Sequence, residues 1–224
     1  MDTLQSLIAA EGKAAQLFAA IEHLELLQAG KTERELNKEV YELAAKLFGI
    51  RKYWHKRIVR SGRNTLLPYR ENPPDLTLQA DDIVFFDFGP VFEEWEADFG
   101  RTYVLGNNPE KLRLKNDTEA AWHRGKAFFE NNRDTLTAAQ LYAFTCDMAR
   151  SYGWKYGNEH CGHLIGNFPH EELIGDELIH YLHPENERLL CAPGTEGQEL
   201  HWIYEIHFIS PEQEIGAFFE QLLG

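Results

Sequence analysis

Two pairs of carboxylates, one mid-chain and one at the end, have the spacing to meet across hairpin turns. Asp87 closes the apolar run IVFF, and Asp98 lies eleven positions later with Gly89-Pro90 between them. An odd offset cannot put two side chains on one face of a single strand, whose faces repeat every second residue. A hairpin with its turn centred between Phe92 and Glu93 would make them direct cross-strand partners, Cβ atoms roughly 5 Å apart. Two ionised carboxylates that close repel unless a cation sits between them or one is protonated. The stretch Ile83 to Thr102 is therefore a metal-site candidate. Glu205 and Glu220 repeat the geometry, since their midpoint falls between Glu212 and Gln213, just after Pro211. Taken singly, an acidic pair on a strand is more often solvent-facing than metal-binding. Two such hairpins, the first beside so apolar a run that a buried carboxylate there needs a partner, shift the balance.

Imidazole comes from HCGHLIGNFPHEE, residues 160–172. His163 stands between Gly162 and Ile165-Gly166, where glycine lets the backbone approach a site closely, and His170 follows seven residues later. The spacing is not HExxH, because Ile174 occupies the fourth position after His170. His123, His180 and His183 lack such surroundings and are expected at the surface.

Helices must flank these hairpins. Leu4, Leu7, Ile8, Ala14, Ala15, Phe18 and Ile21 recur at helical spacing in a pattern that ends at Gly30. Thr32 and Glu35 form a capping box opening a second helix through Leu36, Val40, Leu43, Ala44 and Leu47 to Gly49. Residues 51–80, broken by Pro68, Pro73 and Pro74, read as irregular. A third helix is expected over Lys111 to Glu130, and a second capping box, Thr137 with Gln140, opens a fourth that ends near Gly153. From 201 to 208 the chain alternates, with Trp202, Tyr204, Ile206 and Phe208 on one face and His201, Ile203, Glu205 and His207 on the other. The order helix, helix, carboxylate hairpin thus occurs twice, without sequence identity between the halves. It suggests a pseudo-twofold arrangement with four carboxylates converging on one centre.

The 224 residues are 43% hydrophobic and 26% charged, ordinary for a soluble globular protein. No apolar run approaches the ~20 residues needed to span a bilayer, and the N-terminus does not read as a signal peptide. A cytoplasmic protein is expected. Cys146, Cys161 and Cys191 offer no CxxC spacing, against a disulfide framework or a cysteine zinc site. A net charge of −14 argues against nucleic acid and anionic membranes as partners.

These motifs, D-x-G, D-x-x-R-T, G-H-x-I-G with H-E seven positions on, Y-E-I and a terminal F-E, resemble the pita-bread metallopeptidases, which include methionine aminopeptidase, aminopeptidase P and prolidase. The resemblance runs from Gly30 to Glu220. It implies an α+β fold over residues 1–224 as a single metallopeptidase domain: a curved antiparallel sheet, helices on its outer face and pseudo-twofold internal symmetry. It further implies that Asp87, Asp98, His163, Glu205 and Glu220 bind two divalent metals, with Asp98 and Glu220 bridging, Asp87 on one ion and His163 and Glu205 on the other. The ions share a hydroxide that attacks a peptide carbonyl. Glu205 matches the proton-shuttling position and His170 the one that hydrogen-bonds the scissile carbonyl. The metals are Mn, Co, Fe or Zn.

Some positions depart from the family pattern. The segment SGRNTLLPY usually ends in a substrate-contacting histidine, and Tyr69 stands there. The usual proline after His-Glu is missing, and a short form without the N-terminal domain of aminopeptidase P and prolidase is expected. The resemblance implies an aminopeptidase or dipeptidase of Xaa-Pro type, acting as a homodimer. The alternatives are a hydrolase of a small amide and a non-catalytic binding scaffold. A metal-free creatinase-like hydrolase is disfavoured because all five ligand positions are filled.

Overall fold

In a computed structural model that describes residues 3–169, 178–194 and 196–224, the chain opens with α1 (Thr3–His23) and α2 (Glu33–Phe48). The first helix stops at His23, seven residues before Gly30, and buries Leu7, Ala10, Ala14, Leu17, Phe18 and Ile21 while Ile8 points outward. Gly30, at φ 94, instead turns the chain into backbone pairing with Leu78. The expected capping box of α2 is present: Glu35 N–H donates to Thr32 Oγ1 (3.1 Å) and Thr32 N–H to Glu35 Oε2 (2.8 Å), and Gly49 closes the helix in the left-handed conformation. The helices α3 (Pro109–Asn132) and α4 (Ala138–Tyr152) follow the expected order, the latter with the Thr137–Gln140 box and a Gly153 cap.

Residues 51–80 are not wholly irregular. They contain β1 (Ile58–Ser61) and a 3-10 turn (Gly62–Leu66). Strands β2 (Ile83–Phe88) and β5 (Phe99–Val104) enclose a small ribbon of β3 (Val91–Phe92) and β4 (Trp95–Glu96), and β6 (Lys155–Tyr156), β7 (Gly162–Ile165), β8 (His201–Ser210) and β9 (Ile215–Leu222) complete the set. One seven-stranded antiparallel sheet runs β1-β2-β5-β9-β8-β6, with β7 also paired to β8.

The pleat sorts the side chains. Val84, Phe86 and Phe88 face α1 and α2, packing against Phe18, Leu36 and Val40. Tyr204, Ile206, Phe208, Ala217 and Phe219 face α3 and α4, packing against Trp122, Leu141 and Met148. Each fully buried side chain of this size is worth roughly 1.5–3 kcal/mol relative to exposure. Asp87, Glu205 and Glu220, of opposite parity, lie on the other face.

One register differs from expectation. Asp87 pairs with Gly100, not Asp98. The β3–β4 ribbon turns at Glu93 (φ 60) and Glu94, so the centre falls one residue later. Moving a turn centre by one residue moves the partner by two, which keeps the face. Asp98 becomes a diagonal neighbour of Asp87, still within reach. The second hairpin has the expected register, Glu205 directly opposite Glu220.

Candidate metal centre

Because Gly100 also pairs with Glu220 across β5 and β9, one row crosses four strands: Asp87, Gly100, Glu220, Glu205. A Cβ at position 100 would stand 2.6 Å from the Phe218 ring and 3.0 Å from Glu220 Cβ, so glycine is what lets the carboxylates flank the row's centre. Asp98 enters from just before β5 and His163 from β7, whose pairing with β8 sets it opposite Ile203, diagonal to Glu205. All four carboxylates are buried. They line one end of a 610 Å³ cavity together with Trp54, His55, Tyr69, His160, His163, His180 and His207.

Asp98 sits at the middle. Its Oδ2 lies 3.1 Å from His163 Nε2 and its Oδ1 3.1 Å from His55 Nε2. Burial works against its charge, yet the two imidazoles hold its carboxyl well below the usual range. Burial pushes Asp87 up to about 7, with Asp98 and Glu205 adding to the shift and His55 opposing it. Glu220 is pushed well up by burial and by Asp98, Asp87 and Glu205. Glu205 is held down against burial by His160, whose Nδ1 lies 2.8 Å from Glu205 Oε1. His163 is raised, the Asp98 contact outweighing burial.

Four carboxylates this close, two of them pushed toward their protonated forms by burial and by one another, make a candidate cation site. Among the described residues, no hydrogen-bond donor reaches the buried Glu220 Oε2. Two groups, His55 with Asp87 and Asp98, and Asp98 with His163 and Glu220, bring three donor atoms within 4.8 Å of one another. The donor set fits a pair of divalent ions with oxygen and imidazole ligands.

The structure thus brings together five sequence-identified residues, Asp87, Asp98, His163, Glu205 and Glu220. Tyr69 lines the same cavity, its hydroxyl accepting from Lys56 N–H (3.3 Å). Arg60 holds its loop, donating to the carbonyls of Leu67, Pro68 (2.8 Å) and Glu71 (2.9 Å). His170 lies outside the described residues. His123 is exposed as expected, whereas His183 is half-buried and His180 lines the cavity, a correction arising because the 3-10 turn at Leu178–His180 folds back beside His160 and Tyr181.

Sequence reasoning missed His55, His160 and the site role of His207. His207 is buried with Nε2 donating to Thr65 O (2.8 Å), and burial lowers it to about 4. The alternation of β8 does put His207 on the Glu205 face. For His55 the only local signal is Gly89, two residues after Asp87: a Cβ there would stand 2.1 Å from the His55 ring.

Comparison with known proteins agrees with this geometry. Residues 5–223 match the profile of the Metallopeptidase family M24. A curated Xaa-Pro dipeptidase from Pyrococcus horikoshii is 29% identical over 154 residues, 68% of this chain and 43% of that protein. The chain therefore spans less than half the length of that relative. Solved structures of an Xaa-Pro dipeptidase from Bacillus anthracis (TM-score 0.75, 23% identity) and of an X-Pro aminopeptidase from Thermotoga maritima (TM-score 0.75, 19% identity) superpose over 97% of this chain and 56% of theirs. The mixed helical and antiparallel architecture is thus the pita-bread fold, and by the extent of the profile match the chain belongs to Metallopeptidase family M24.

Proposed function

We propose that this chain is the catalytic domain of a metal-dependent Xaa-Pro dipeptidase or aminopeptidase, residues 1–224 acting as one unit. The observation that carries the reading is the buried row Asp87, Gly100, Glu220, Glu205, with Asp98 presenting one oxygen to each side of it. Asp98 and Glu220 would bridge the two ions, Asp87 would hold one, and His163 and Glu205 the other. When bound, such a pair lowers the pKa of water toward neutrality and polarises a peptide carbonyl.

The protein's own groups do the rest. Asp98, the most acidic carboxyl of the set, stays ionised and fixes the centre. Glu205 is the proton carrier, with His160 2.8 Å away to tune its basicity. His170 is assigned to hydrogen-bond the scissile carbonyl. Ile58, Phe85 and Phe218 form an apolar wall beside the carboxylates, a surface suited to a proline ring. Tyr69, on the loop whose carbonyls Arg60 holds, donates or accepts at the substrate side, where imidazole would also have titrated near neutral pH.

Manganese is the ion we assign first, because carboxylate-rich sites suit harder cations. A cytoplasmic setting accords with Cys146, Cys161 and Cys191 all being free thiols. None of the described helices is long and apolar enough to cross a membrane. A homodimer completes the reading, testable by light scattering. The functional test is a panel of Xaa-Pro, Met-Xaa and general dipeptides with Mn, Co and Zn. Preferential hydrolysis of Xaa-Pro supports the proposal. Turnover of none with metal bound refutes it in favour of a small-amide hydrolase or a scaffold.

A further inference from the structure

We infer that His55 is a sixth ligand of the metal centre, coordinating through Nε2 on the Asp87 side as the counterpart of His163. The inference rests on the metallopeptidase reading and adds a residue from a segment that carries none of the sequence motifs.

The two histidines are held alike. His163 Nδ1 donates to Leu164 O at 2.8 Å, and its Nε2 meets Asp98 Oδ2 at 3.1 Å. His55 Nδ1 donates to Lys56 O at 2.8 Å, and its Nε2 meets Asp98 Oδ1 at 3.1 Å. In each case the carbonyl of the following residue fixes the proton on Nδ1, leaving Nε2 as the coordinating atom, the arrangement that orients metal-bound imidazoles. One indole supports both rings: Trp54 packs edge-on to His55 (4.4 Å) and to His163 (5.1 Å), and its Nε1–H is fixed by Ala97 O at 3.1 Å.

The position of His55 Nε2 fits that of a ligand sharing an ion with two carboxylates. It stands between two carboxylates, 3.1 Å from Asp98 Oδ1 and 3.5 Å from Asp87 Oδ1. Two donors each about 2.0–2.2 Å from one ion, at angles between square and tetrahedral, lie roughly 3.0–3.5 Å apart. The ring is almost fully enclosed, and Gly89 is what admits it, since a Cβ there would stand 2.3 Å from Nε2. Without His55, the Asp87 side would have carboxylate ligands only, while the other side has an imidazole. With it, each ion receives one neutral imidazole, and four carboxylates still balance two dications.

Cobalt(II) provides the test, because an imidazole bound through Nε2 gives a paramagnetically shifted, exchangeable Nδ1–H signal. Both Nδ1–H groups here are bonded to carbonyls in rings little exposed to water, so their exchange is slow. Chelator-treated protein loaded with two equivalents of cobalt(II) chloride should show both signals, one lost in His55→Asn and the other in His163→Asn. His55→Asn should also weaken one of the two cobalt binding steps by at least ~10-fold. Two bound cobalt ions in the unmodified protein with a His163 signal but none from His55 would overturn the inference and leave the metallopeptidase reading standing. Failure of the unmodified protein to take up cobalt would overturn both. The number of such signals in the unmodified protein with two cobalt ions bound, two for the inference and one against it, decides without either variant, so the result holds even where a variant does not fold.

Discussion

Stripping divalent ions and raising the pH from 6 to 8 should lower the melting temperature by about 4–8 °C. The cause is the set of charges packed around Asp98. Asp87 has its folded-state pKa raised from 3.8 to about 7, so the fold favours its protonated form and loses stability as the pH rises through that range. Between pH 6 and pH 8 this amounts to about 1.4 kcal/mol. His55 is raised from 6.5 to about 9, because Asp98 and Asp87 outweigh its burial. Its contribution is complete below its unfolded value and falls away as the pH climbs through 9, costing about 1.8 kcal/mol over the same interval. His207, lowered to about 4, works the other way and returns about 0.8 kcal/mol as the unfolded chain gives up its proton. Part of the Asp87 and His55 effects is one contact seen from both ends, which leaves a net loss of about 2 kcal/mol. Glu220 and His163, both raised, add to it in the same direction, whereas Asp98 and Glu205, both lowered, are ionised in folded and unfolded chains across this interval. Bound ions should reverse the trend, since they hold the carboxylates ionised and imidazole neutral and bind more tightly as protons leave. At 100 times its Kd each ion adds about 2.7 kcal/mol. Calorimetric melts at both pH values, in chelator and in excess manganese, make the comparison. A chelated protein whose melting temperature is flat or rises from pH 6 to 8 would refute the reasoning.

Three further outcomes are expected. Gly100→Ala should destabilise the protein by about 1–3 kcal/mol in urea melts, because its Cβ overlaps the Phe218 ring; unchanged stability would contradict the packing described. Glu205→Gln, nearly isosteric, should cost about 10²–10⁴ in kcat on an Xaa-Pro substrate, and full activity would remove Glu205 as proton carrier. Tyr69→Phe removes a hydroxyl worth about 1 kcal/mol and should lower kcat/KM about fivefold with metal content unchanged; loss of metal instead would place Tyr69 at the centre rather than at the substrate.

How much of this could be read from the sequence depended on whether the signal was local. The capping boxes at Thr32 and Thr137 and the period-two pattern of β8 involve neighbours within a few residues, and they predicted α2, α4 and the Glu205–Glu220 register. Centring the first hairpin on the midpoint of Asp87 and Asp98 sets its turn one residue early, because the chain continues into β3 and turns at Glu93 and Glu94. The aspartates still share a face, so the error in register did not become an error in the site. His55 had no such protection. It is brought to Asp98, 43 positions away, by pairing of residues 52–54 with 89–91, which no local pattern anticipates. The same holds for His180, which the chain returns to the cavity from a segment that looks like surface loop.

Metal stoichiometry bears most directly on the central claim. Equilibrium dialysis of the chelator-treated protein against manganese, followed by elemental analysis, should return two ions per chain, falling below two in Asp98→Ala and in Glu220→Ala. An unmodified protein that binds no divalent ion, or variants that still bind two as tightly, would contradict the account.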